Sequence, residues 1–485
     1  MSLMDEVSVR PLDLEELGSI LPSDRAARLA SEASRARSAF GDRVVWHVNA
    51  TAHGGGVAEM LQTLLAYAKG AGIETRWLVL HGDPRFFGIT KRLHNMLHGT
   101  PGDGGPLGRG EHAHYEEVLR TNLAELTRRV SPGDIVLLHD PQTAGLAEGL
   151  RAVGAQVVWR CHVGRDRPND HTDTAWEFLR PYVGHAQALV FSRREYAPEW
   201  VDDELLAVIP PSIDPFAVKN MALEPEQVTA ILARTGLVAD GDREEPVDFV
   251  RRDGTPGTVR AHRREDGGLL DGDPPPLTVP LVVQVSRWDR LKDMSGVMEG
   301  FVRAVDDDDL NGAHLILAGP EVSGVADDPE GAEVLGQCRE EWNHLPAAVR
   351  SRVHLACIPM DDGDENAIIV NALQRHAAVV VQKSLVEGFG LTVTEAMWKG
   401  RPVVASKLGG IQDQITDGSD GLLVDDPYDI DEFAEVLHRP LVDEVLADRL
   451  GAGAHARVLK EYVGDRHLSR YVDLFSDLVR HSGRG

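Results

Sequence analysis

Short apolar segments rich in β-branched residues alternate along the chain with segments of helical periodicity. The first strand is predicted at residues 44–48, VVWHV, and a helix is predicted at 57–68, where apolar residues recur every three or four positions. A glycine run, Gly54 to Gly56, separates these two segments. A strand, a glycine-rich loop and a helix in this order indicate the opening unit of a doubly wound α/β domain.

The same alternation continues through both halves of the chain. Further strands are predicted at 75–80, 134–139, 156–160, 188–192, 206–209, 281–285, 313–318, 353–356, 378–382, 403–405 and 421–424. Helices are predicted at 115–129, 143–153, 294–305, 367–376, 392–399 and 465–481. Because strands joined by helical crossovers are buried on both faces, their apolar character predicts an α/β fold with two Rossmann-like, doubly wound parallel sheets.

Composition changes along the chain suggest where the domains meet. Residues 210–215, PPSIDP, follow a predicted strand, and two consecutive prolines end both a ladder and a helix. We therefore expect an N-terminal Rossmann-like domain at 1–212, with its first 42 residues helical and peripheral, and a C-terminal domain at 213–459. A last helix at 460–485 is expected to return to the first domain. Residues 239–276 are polar and end in three prolines, which predicts an exposed, mobile insertion.

Charge, apolar runs and cysteine spacing argue against several kinds of partner and site. The chain carries 77 acidic and 50 basic residues, a net charge of −27, which disfavours nonspecific binding to nucleic acid or to an anionic membrane. No apolar run approaches the roughly 20 residues that cross a bilayer, and the first 22 residues lack the features of a signal peptide. Three widely spaced cysteines argue against a disulfide framework or a zinc site. These observations predict a cytoplasmic enzyme.

The most informative motif is EGFGLTVTE at 387–395. Glu387 follows a predicted strand, and Gly390 and Leu391 begin a helix whose first turn offers unpaired N–H groups to an anion. Glu395, one turn further on, suits vicinal hydroxyls because a carboxylate accepts two hydrogen bonds. A helix N-terminus with a capping acid would give the same pattern.

Basic and glycine-rich residues follow two other predicted strands. Arg287 and Lys292 come after the strand at 281–285, and parallel α/β sheets bind ligands at that end of a strand, where both side chains could neutralise a diphosphate. A solvated basic turn is the alternative. The run Gly54 to Gly56 could cradle a phosphate or a sugar at a helix N-terminus. It fits neither the dinucleotide fingerprint nor the P-loop, so it predicts neither NAD nor ATP.

Histidines and acidic runs complete the set of candidate residues. His162 ends one predicted strand and His139 ends another, where an imidazole could contact a sugar hydroxyl or steer a developing charge. A structural histidine is the alternative reading. The acidic runs 306–309 and 361–364 lack the spacing of a calcium loop. They predict solvated turns rather than metal sites.

These residues together resemble the retaining GT-B glycosyltransferases of family 4, and within that family the trehalose-forming glycosyltransferring synthases. The matching stretches are 48–60, 82–87, 90–95, 139–142, 159–162, 210–215, 286–292 and 387–398. Two glutamates separated by seven residues, Glu387 and Glu395, are characteristic of the broad family. The phrase GFGLTVTEAMWKG points to the trehalose-related branch.

The resemblance implies a GT-B fold, in which two Rossmann-like domains face a central cleft. It implies a retaining transfer of glucose from ADP-, UDP- or GDP-glucose to free glucose, which forms trehalose in a reversible reaction. No metal is implied for the chemistry, and magnesium would be a stimulating ion at most. Sugars are the implied partners, with no nucleic acid or membrane, and a homodimer is expected from the resemblance alone.

The resemblance also assigns roles to individual residues. Arg287 and Lys292 would hold the donor diphosphate and stabilise the leaving group. Glu387 would contact the transferred glucose, Glu395 the donor ribose, and His162 would lie over the donor sugar near its anomeric carbon. The other donor-side positions are Gly55, Gly56, Gly390, Leu391 and Thr392, and the candidates for the acceptor pocket are Lys91, His94 and Asn95.

Two departures from the family keep alternatives open. The insertion at 239–276 is extra, and the loop 163–170, VGRDRPND, differs from the family pattern, so the acceptor is not fixed. One alternative is a trehalose phosphorylase that uses phosphate instead of a nucleotide. Others are a different sugar acceptor, an epimerase acting on the nucleotide sugar, and a catalytically silent sugar- or nucleotide-binding regulator.

Overall fold

Two seven-stranded sheets organise the part of the chain that the structure describes. The structure is a computed structural model that describes residues 4–52, 56–239, 245–262, 268–305, 312–322 and 329–482. The chain divides into an N-terminal unit, Met1–Ser212 with Tyr462–Gly485, and a C-terminal unit, Ile213–Glu461. The chain therefore leaves the N-terminal unit after Ser212 and returns to it at Tyr462.

The sheet of the N-terminal unit is parallel except at one edge. Its strands are Met4–Val7 (β1), Val45–Asn49 (β2), Thr75–Leu80 (β3), Ile135–His139 (β4), Gln156–Cys161 (β5), Ala188–Phe191 (β6) and Leu206–Val208 (β7). Their spatial order is β1-β3-β2-β4-β5-β6-β7. Strands β2 to β7 pair in parallel, whereas β1 runs antiparallel to β3. The expectation that the first 42 residues are wholly helical is therefore wrong at residues 4–7, because this segment adds an edge strand.

The C-terminal unit repeats this design. Its strands are Val247–Val250 (β8), Pro256–Val259 (β9), Leu270–Asp271 (β10), Leu281–Val285 (β11), His314–Pro320 (β12), Val353–Ile358 (β13), Val379–Gln382 (β14), Val403–Ser406 (β15) and Leu422–Val424 (β16). The large sheet has the order β10-β13-β12-β11-β14-β15-β16, and β8 pairs with β9 in a separate hairpin. Only β10 is antiparallel within the large sheet as described. The predicted doubly wound α/β architecture is confirmed in both units.

Helices connect the strands in both units. In the first part of the chain they are Leu14–Ser19 (α1), Ser23–Phe40 (α2), Gly56–Gly70 (α3), Pro84–Leu97 (α4), Arg109–Leu126 (α5), Asp140–Thr143 (α6), Ala147–Ala152 (α7) and Asp170–Val183 (α8). They continue with Pro225–Arg234 (α9), Met294–Ala304 (α10), Pro329–His344 (α11), Ala347–Arg350 (α12), Gly363–His376 (α13), Leu391–Trp398 (α14), Ile411–Gln414 (α15), Ile430–Val442 (α16), Glu444–Glu461 (α17) and Gly464–Ser482 (α18).

Alternate residues of the central strands feed two separate cores in the N-terminal unit. On β4, Val136 and Leu138 belong to one cluster, whereas Ile135 and Leu137 belong to the cluster on the opposite face. This alternation follows from the two-residue repeat of a strand. Tyr471 and Phe475 of α18 join the second cluster, so the last helix is part of the core of this unit.

The polar insertion has regular structure in its described part, so the expectation of a mobile loop is wrong there. Phe249 of β8 and Val259 of β9 are buried, which gives the hairpin an apolar face. Arg260 donates from Nε to Glu365 Oε2 at 2.6 Å and from Nη1 to Asp361 Oδ2 at 2.7 Å. The acidic segment at 361–364 is therefore partly ion-paired rather than simply solvated, because this hairpin docks on it. The other acidic run, 306–309, lies outside the described residues.

Candidate active site

In the C-terminal unit, the loops that follow β11 and β14 lie side by side because these strands are parallel neighbours. The buried amide of Gln284 joins them: its Nε2 donates to Lys292 O at 2.7 Å, and its Oε1 accepts from Lys383 N at 3.0 Å. A backbone bond from Leu385 N to Leu291 O, 2.8 Å long, adds a second link. The two sequence motifs at 286–292 and 387–395 are thus held at one edge of one sheet.

Lys292 and Glu387 meet at this edge. Lys292 Nζ lies 2.5 Å from Glu387 Oε2, and their side chains are 17% and 12% exposed. Ser384 donates from Oγ to the same carboxylate oxygen at 3.2 Å. The structure therefore brings together an ammonium and a carboxylate that are 95 residues apart in sequence and leaves both in contact with solvent.

Arg287 does not join this pair. Its guanidinium donates from Nη2 to Asp289 Oδ2 at 2.9 Å, and its side chain is 69% exposed. Asp289 also caps the short turn that follows it, because its Oδ1 accepts from Leu291 N at 2.8 Å. The bond to Asp289 uses only one of the two terminal nitrogens of the guanidinium, and the side chain is otherwise largely exposed to solvent.

The N-terminus of α14 lies next to Glu387. Gly390 precedes the helix with φ 82°, and a Cβ at this position would lie 3.0 Å from Ile411 Cγ1, so both conformation and space require glycine. No side chain caps the helix at this end, which leaves the first-turn amides, including that of Leu391, unpaired by a cap. The Thr392 hydroxyl points elsewhere and donates to Gln382 Oε1 at 2.9 Å.

Glu395, one turn into α14, carries an acceptor without a donor. Its Oε1 lies 3.6 Å from Lys219 Nζ, and its Oε2 is buried with no hydrogen-bond partner among the described residues. Leaving a buried polar atom unsatisfied costs about 1–3 kcal/mol, and more when the group is charged. A ligand hydroxyl that donated to Oε2 would remove this cost.

A buried lysine supports the backbone of Glu395. Lys399 Nζ donates to Glu395 O at 3.2 Å, to Gln374 Oε1 at 2.8 Å and to Asn220 Oδ1 at 3.2 Å. Burial lowers the pKa of Lys399 to about 7, while the nearby Glu395 carboxylate opposes that shift. Lys399 was not among the residues predicted from the sequence. The only signal for it in the sequence is its position one helical turn after Glu395.

In the N-terminal unit, the two strand-end histidines contact each other. His139 Nδ1 and His162 Nε2 are 3.0 Å apart, and Arg160 donates from Nε to His162 Nδ1 at 3.2 Å. Both ring nitrogens of His162 are therefore occupied within the protein. A ligand that bonded to either ring nitrogen would have to displace one of these contacts.

Asp140 is a candidate site residue that sequence analysis missed. It has φ 63°, one of two positive values among the described non-glycine residues, and its Oδ1 accepts from His162 N at 2.8 Å. Burial raises its pKa to about 7, against smaller opposing effects of the bond from His162 and of the Arg160 charge. Strain of this kind at a strand end is frequent at functional sites. The signal in the sequence was its place directly after a buried strand.

The three acceptor candidates share one side of α4. Lys91, His94 and Asn95 are spaced by three and four residues, which places them on neighbouring turns of one face. Lys91 is exposed, and the other two are partly buried. Gly56 is the exposed first residue of α3, whereas Gly55 lies outside the described residues.

Comparison with known proteins matches both units to one group of enzymes. The family model described as "Trehalose synthase, N-terminal domain" matches residues 47–198, and the model "Glycosyl transferases group 1" matches 362–457. The trehalose synthase of Rubrobacter xylanophilus is 35% identical over 96% of this chain and 97% of its own length. The trehalose synthase of Pyrococcus horikoshii is 32% identical over 96% of both chains.

The chain belongs to the trehalose synthase family. Its fold is GT-B, as the resemblance implied. A solved structure described as "Trehalose-6-phosphate from E. coli bound with UDP-2-fluoro glucose" superimposes with a TM-score of 0.63 at 16% identity, over 90% of this chain and 99% of that one. At this low identity the superposition speaks for the fold alone.

The regions that match the two family models contain most of the candidate residues. The match at 47–198 includes the α4 candidates, Asp140 and His162, and the match at 362–457 includes Glu387 and Glu395. Arg287 and Lys292 lie between the two matched regions. Their connection to the family site therefore depends on the geometry that joins Lys292 to Glu387.

Two further properties of the described residues bear on possible ligands and partners. No group of three or more histidine, cysteine, aspartate or glutamate side chains is arranged to hold a metal ion in the described ranges. Of the helices in that same part of the chain, none combines the length and the apolar composition needed to cross a membrane.

Proposed function

We propose that this protein transfers glucose, with retention of anomeric configuration, from a nucleoside diphosphate glucose to free glucose and so forms trehalose. The observation that carries the proposal is the meeting of Lys292 and Glu387 beside the uncapped N-terminus of α14, one turn from the unsatisfied Glu395 oxygen. This arrangement places positive charge and backbone amides, which suit a diphosphate, beside carboxylates, which accept hydrogen bonds from sugar hydroxyls. A nucleotide sugar needs both kinds of group.

The donor would be bound by three kinds of group. Lys292, the first-turn amides of α14 and the exposed Arg287 would meet the diphosphate. Glu395 would accept hydrogen bonds from the ribose hydroxyls through the oxygen that is unsatisfied in the free protein. Glu387, adjacent to Lys292, would accept from hydroxyls of the transferred glucose.

The transfer would exchange one glycosidic bond for another. The bond between the anomeric carbon and the diphosphate oxygen breaks, so that positive charge develops on the sugar and negative charge on the leaving diphosphate. Lys292 and the helix N-terminus stabilise the negative charge. A hydroxyl of the acceptor glucose attacks from the face that the diphosphate leaves, and its proton passes to the departing phosphate oxygen. The products are trehalose and a nucleoside diphosphate.

The same scheme indicates how the other ligands take part. Reversal needs only trehalose and the nucleoside diphosphate, so we propose that the reaction runs in both directions. Lys91, His94 and Asn95 are proposed to bind the acceptor glucose through their common face on α4. No proposed step passes through a metal, and magnesium would act at most as a stimulating ion.

The test is to incubate the purified protein with glucose together with one nucleotide donor at a time, ADP-, UDP- or GDP-glucose. The products are then identified by NMR. We expect an α,α-1,1-linked disaccharide and one equivalent of nucleoside diphosphate from at least one donor. A second incubation, of trehalose with inorganic phosphate, tests the phosphorylase alternative. Formation of glucose 1-phosphate there, with no disaccharide from any nucleotide donor, would overturn the proposal.

A further inference from the structure

A fully buried arginine lies behind His162. Arg160 of β5 has no exposed surface, and four of its N–H donors have acceptors: His162 Nδ1 at 3.2 Å, Ile209 O at 3.1 Å, His467 Nε2 at 3.4 Å and the Tyr471 hydroxyl. None of these acceptors in the described structure is a carboxylate. The Asp140 carboxyl acts on this charge through space, but the groups that bond directly to the guanidinium are all neutral, and a charge buried in this way is costly. Stability alone therefore does not explain its position.

The arginine determines which nitrogen of each neighbouring imidazole carries the proton. A guanidinium only donates, so His162 Nδ1 must accept, and the neutral ring carries its proton on Nε2. That N–H donates to His139 Nδ1, 3.0 Å away. His139 then donates from its own Nε2 to His47 Nδ1 at 3.2 Å. One charged donor thus fixes the tautomers of three histidines in a row.

These histidines are held in the neutral form. Burial, followed by the charge of Arg160, lowers the pKa of His47 to about 3 and holds the pKa of His162 well below its usual value. Burial does the same to His139, with His47 and Arg160 adding to the effect. A neutral His162 has a chemical consequence, because a protonated ring would repel the positive charge that develops on the transferred sugar.

Helix α18 holds the arginine from the other side. His467 Nε2 also faces Arg160, so its proton lies on Nδ1, which donates to Ser212 Oγ at 3.0 Å. The Arg160 guanidinium lies 5.6 Å from the centre of the Tyr471 ring. Both acceptors come from a segment that is about 300 residues away from β5 in sequence.

A separate contact fixes the start of the same helix. Arg25 of α2 binds Asp465 through Nε at 3.0 Å and through Nη2 at 2.6 Å, and both side chains are nearly buried. This ion pair anchors α18 without touching Arg160, so anchoring of the helix and positioning of the arginine can be separated by mutation.

We infer that His467 and Tyr471 are positioning residues for glucose transfer: they orient Arg160 so that its Nε holds His162 in a single neutral tautomer. The inference rests on the proposed function and on the position that the family resemblance implies for His162, beside the transferred sugar. The inference gives α18 a part in the reaction, although His467 and Tyr471 would act through Arg160 and not by touching the substrate.

The main experiment combines kinetics with imidazole 15N NMR. His467→Ala removes one of the four acceptors of Arg160, whereas His467→Gln retains an acceptor and a donor at this position. We expect the alanine variant to lower kcat by roughly tenfold to a hundredfold with little change in KM for the donor, and the glutamine variant to restore most of kcat. Tyr471→Phe is expected to lie between the wild type and the alanine variant.

The spectrum reports the tautomer independently of turnover. The wild type should show a His162 signal with Nε2 protonated and Nδ1 bare, assigned among the 20 histidines by its loss in His162→Gln. His467→Ala should shift this signal towards a mixture of tautomers. Asp465→Asn serves as the structural control and should lower thermal stability without moving the signal. Asp473→Ala, on an exposed part of α18, should change neither property.

The outcomes separate this inference from the proposed function. If His467→Ala lowers stability as Asp465→Asn does but leaves kcat and the His162 signal as in the wild type, the inference is overturned. If the wild type makes no trehalose yet the His162 signal moves in His467→Ala, the proposed function fails, while the control of His162 by α18 is supported.

Discussion

The two units place different kinds of polar group at the carboxyl edges of their sheets. In the C-terminal unit the edge holds charged side chains, Lys292 with Glu387 and Glu395 near Lys219. In the N-terminal unit the edge holds neutral imidazoles in a fixed row in front of one buried arginine. Charged groups suit the binding of an anion, whereas neutral hydrogen-bonding groups suit a sugar that must be oriented.

Lys292→Ala should have the largest effect on activity, because it removes a positive charge from the carboxyl edge of the sheet in the C-terminal unit. We expect kcat/KM to fall by about a hundredfold or more, as for other preorganised groups that stabilise a leaving anion. Arg290→Ala is the matched control, since Arg290 lies on the same turn but pairs with the exposed Glu333 at 2.6 Å. Turnover near the wild-type value in Lys292→Ala would contradict the proposed role of the charged edge.

Glu395→Gln should have a smaller and more selective effect. The amide loses a charged acceptor for the ribose hydroxyls, so we expect KM for the donor to rise about tenfold, in keeping with the worth of one hydrogen bond to a charged group. The free protein should melt close to the wild type, because the amide removes an unsatisfied buried charge but also removes the charge partner of Lys219. Glu435→Gln, at an exposed position, is the control; an unchanged KM in Glu395→Gln would contradict the assignment.

Asp140→Asn tests the sheet edge of the N-terminal unit, where Asp140 lies beside the histidines, through the pH dependence of stability. The folded-state pKa of Asp140 is raised to about 7, above the roughly 3.9 of an unfolded chain. Between these values the folded protein binds more protons than the unfolded chain, so this group makes the free energy of unfolding fall as pH rises. We expect the asparagine variant to melt close to the wild type at pH 4 and above it at pH 8.

Thermal unfolding across this pH range provides the measurement for Asp140. Asp173→Asn, on the exposed side of α8, should show no such pH-dependent difference. A constant difference between wild type and Asp140→Asn at all pH values would mean that the Asp140 carboxyl titrates normally.

Arg260→Ala should have the smallest effect and should leave the chemistry alone. The change removes one of two donors to the buried Glu365 carboxylate, which also accepts from Arg260 N at 2.6 Å. We expect a loss of about 1–2 kcal/mol in the free energy of unfolding, measured with denaturant, and an unchanged kcat/KM. The double variant with Glu365→Gln should recover part of the loss, and a large fall in activity would show that the hairpin has a catalytic role.

The charged groups at the sheet edge of the C-terminal unit could be predicted from the sequence, whereas the row of neutral histidines in the N-terminal unit could not. Arg287, Lys292 and Glu387 follow apolar strands, and the rule that parallel strands bring their carboxyl ends together predicts that these residues share an edge. The structure adds that Arg287 points to solvent, which depends on its local pair with Asp289. The partners of Arg160 come from a helix that is remote in sequence, and no periodicity or spacing reveals such a contact.

Two other differences have local physical reasons. The composition of 239–276 favours disorder, but two apolar residues, Phe249 and Val259, flank a turn at Gly254, and this spacing fits a hairpin. Asp140 occupies a left-handed conformation that residue type does not predict outside glycine, and only the fold makes it visible.

The pairing of Arg160 with His467 also bears on how the protein is made. The C-terminal unit is continuous in sequence, so its sheet can form while the ribosome is still adding residues. The N-terminal unit is translated first but lacks two acceptors of its buried guanidinium, those from His467 and Tyr471, until α18 has been synthesised. A nascent chain that has just completed α17 therefore carries an unfinished site, which is completed only when α18 has emerged from the ribosome and packed on β5.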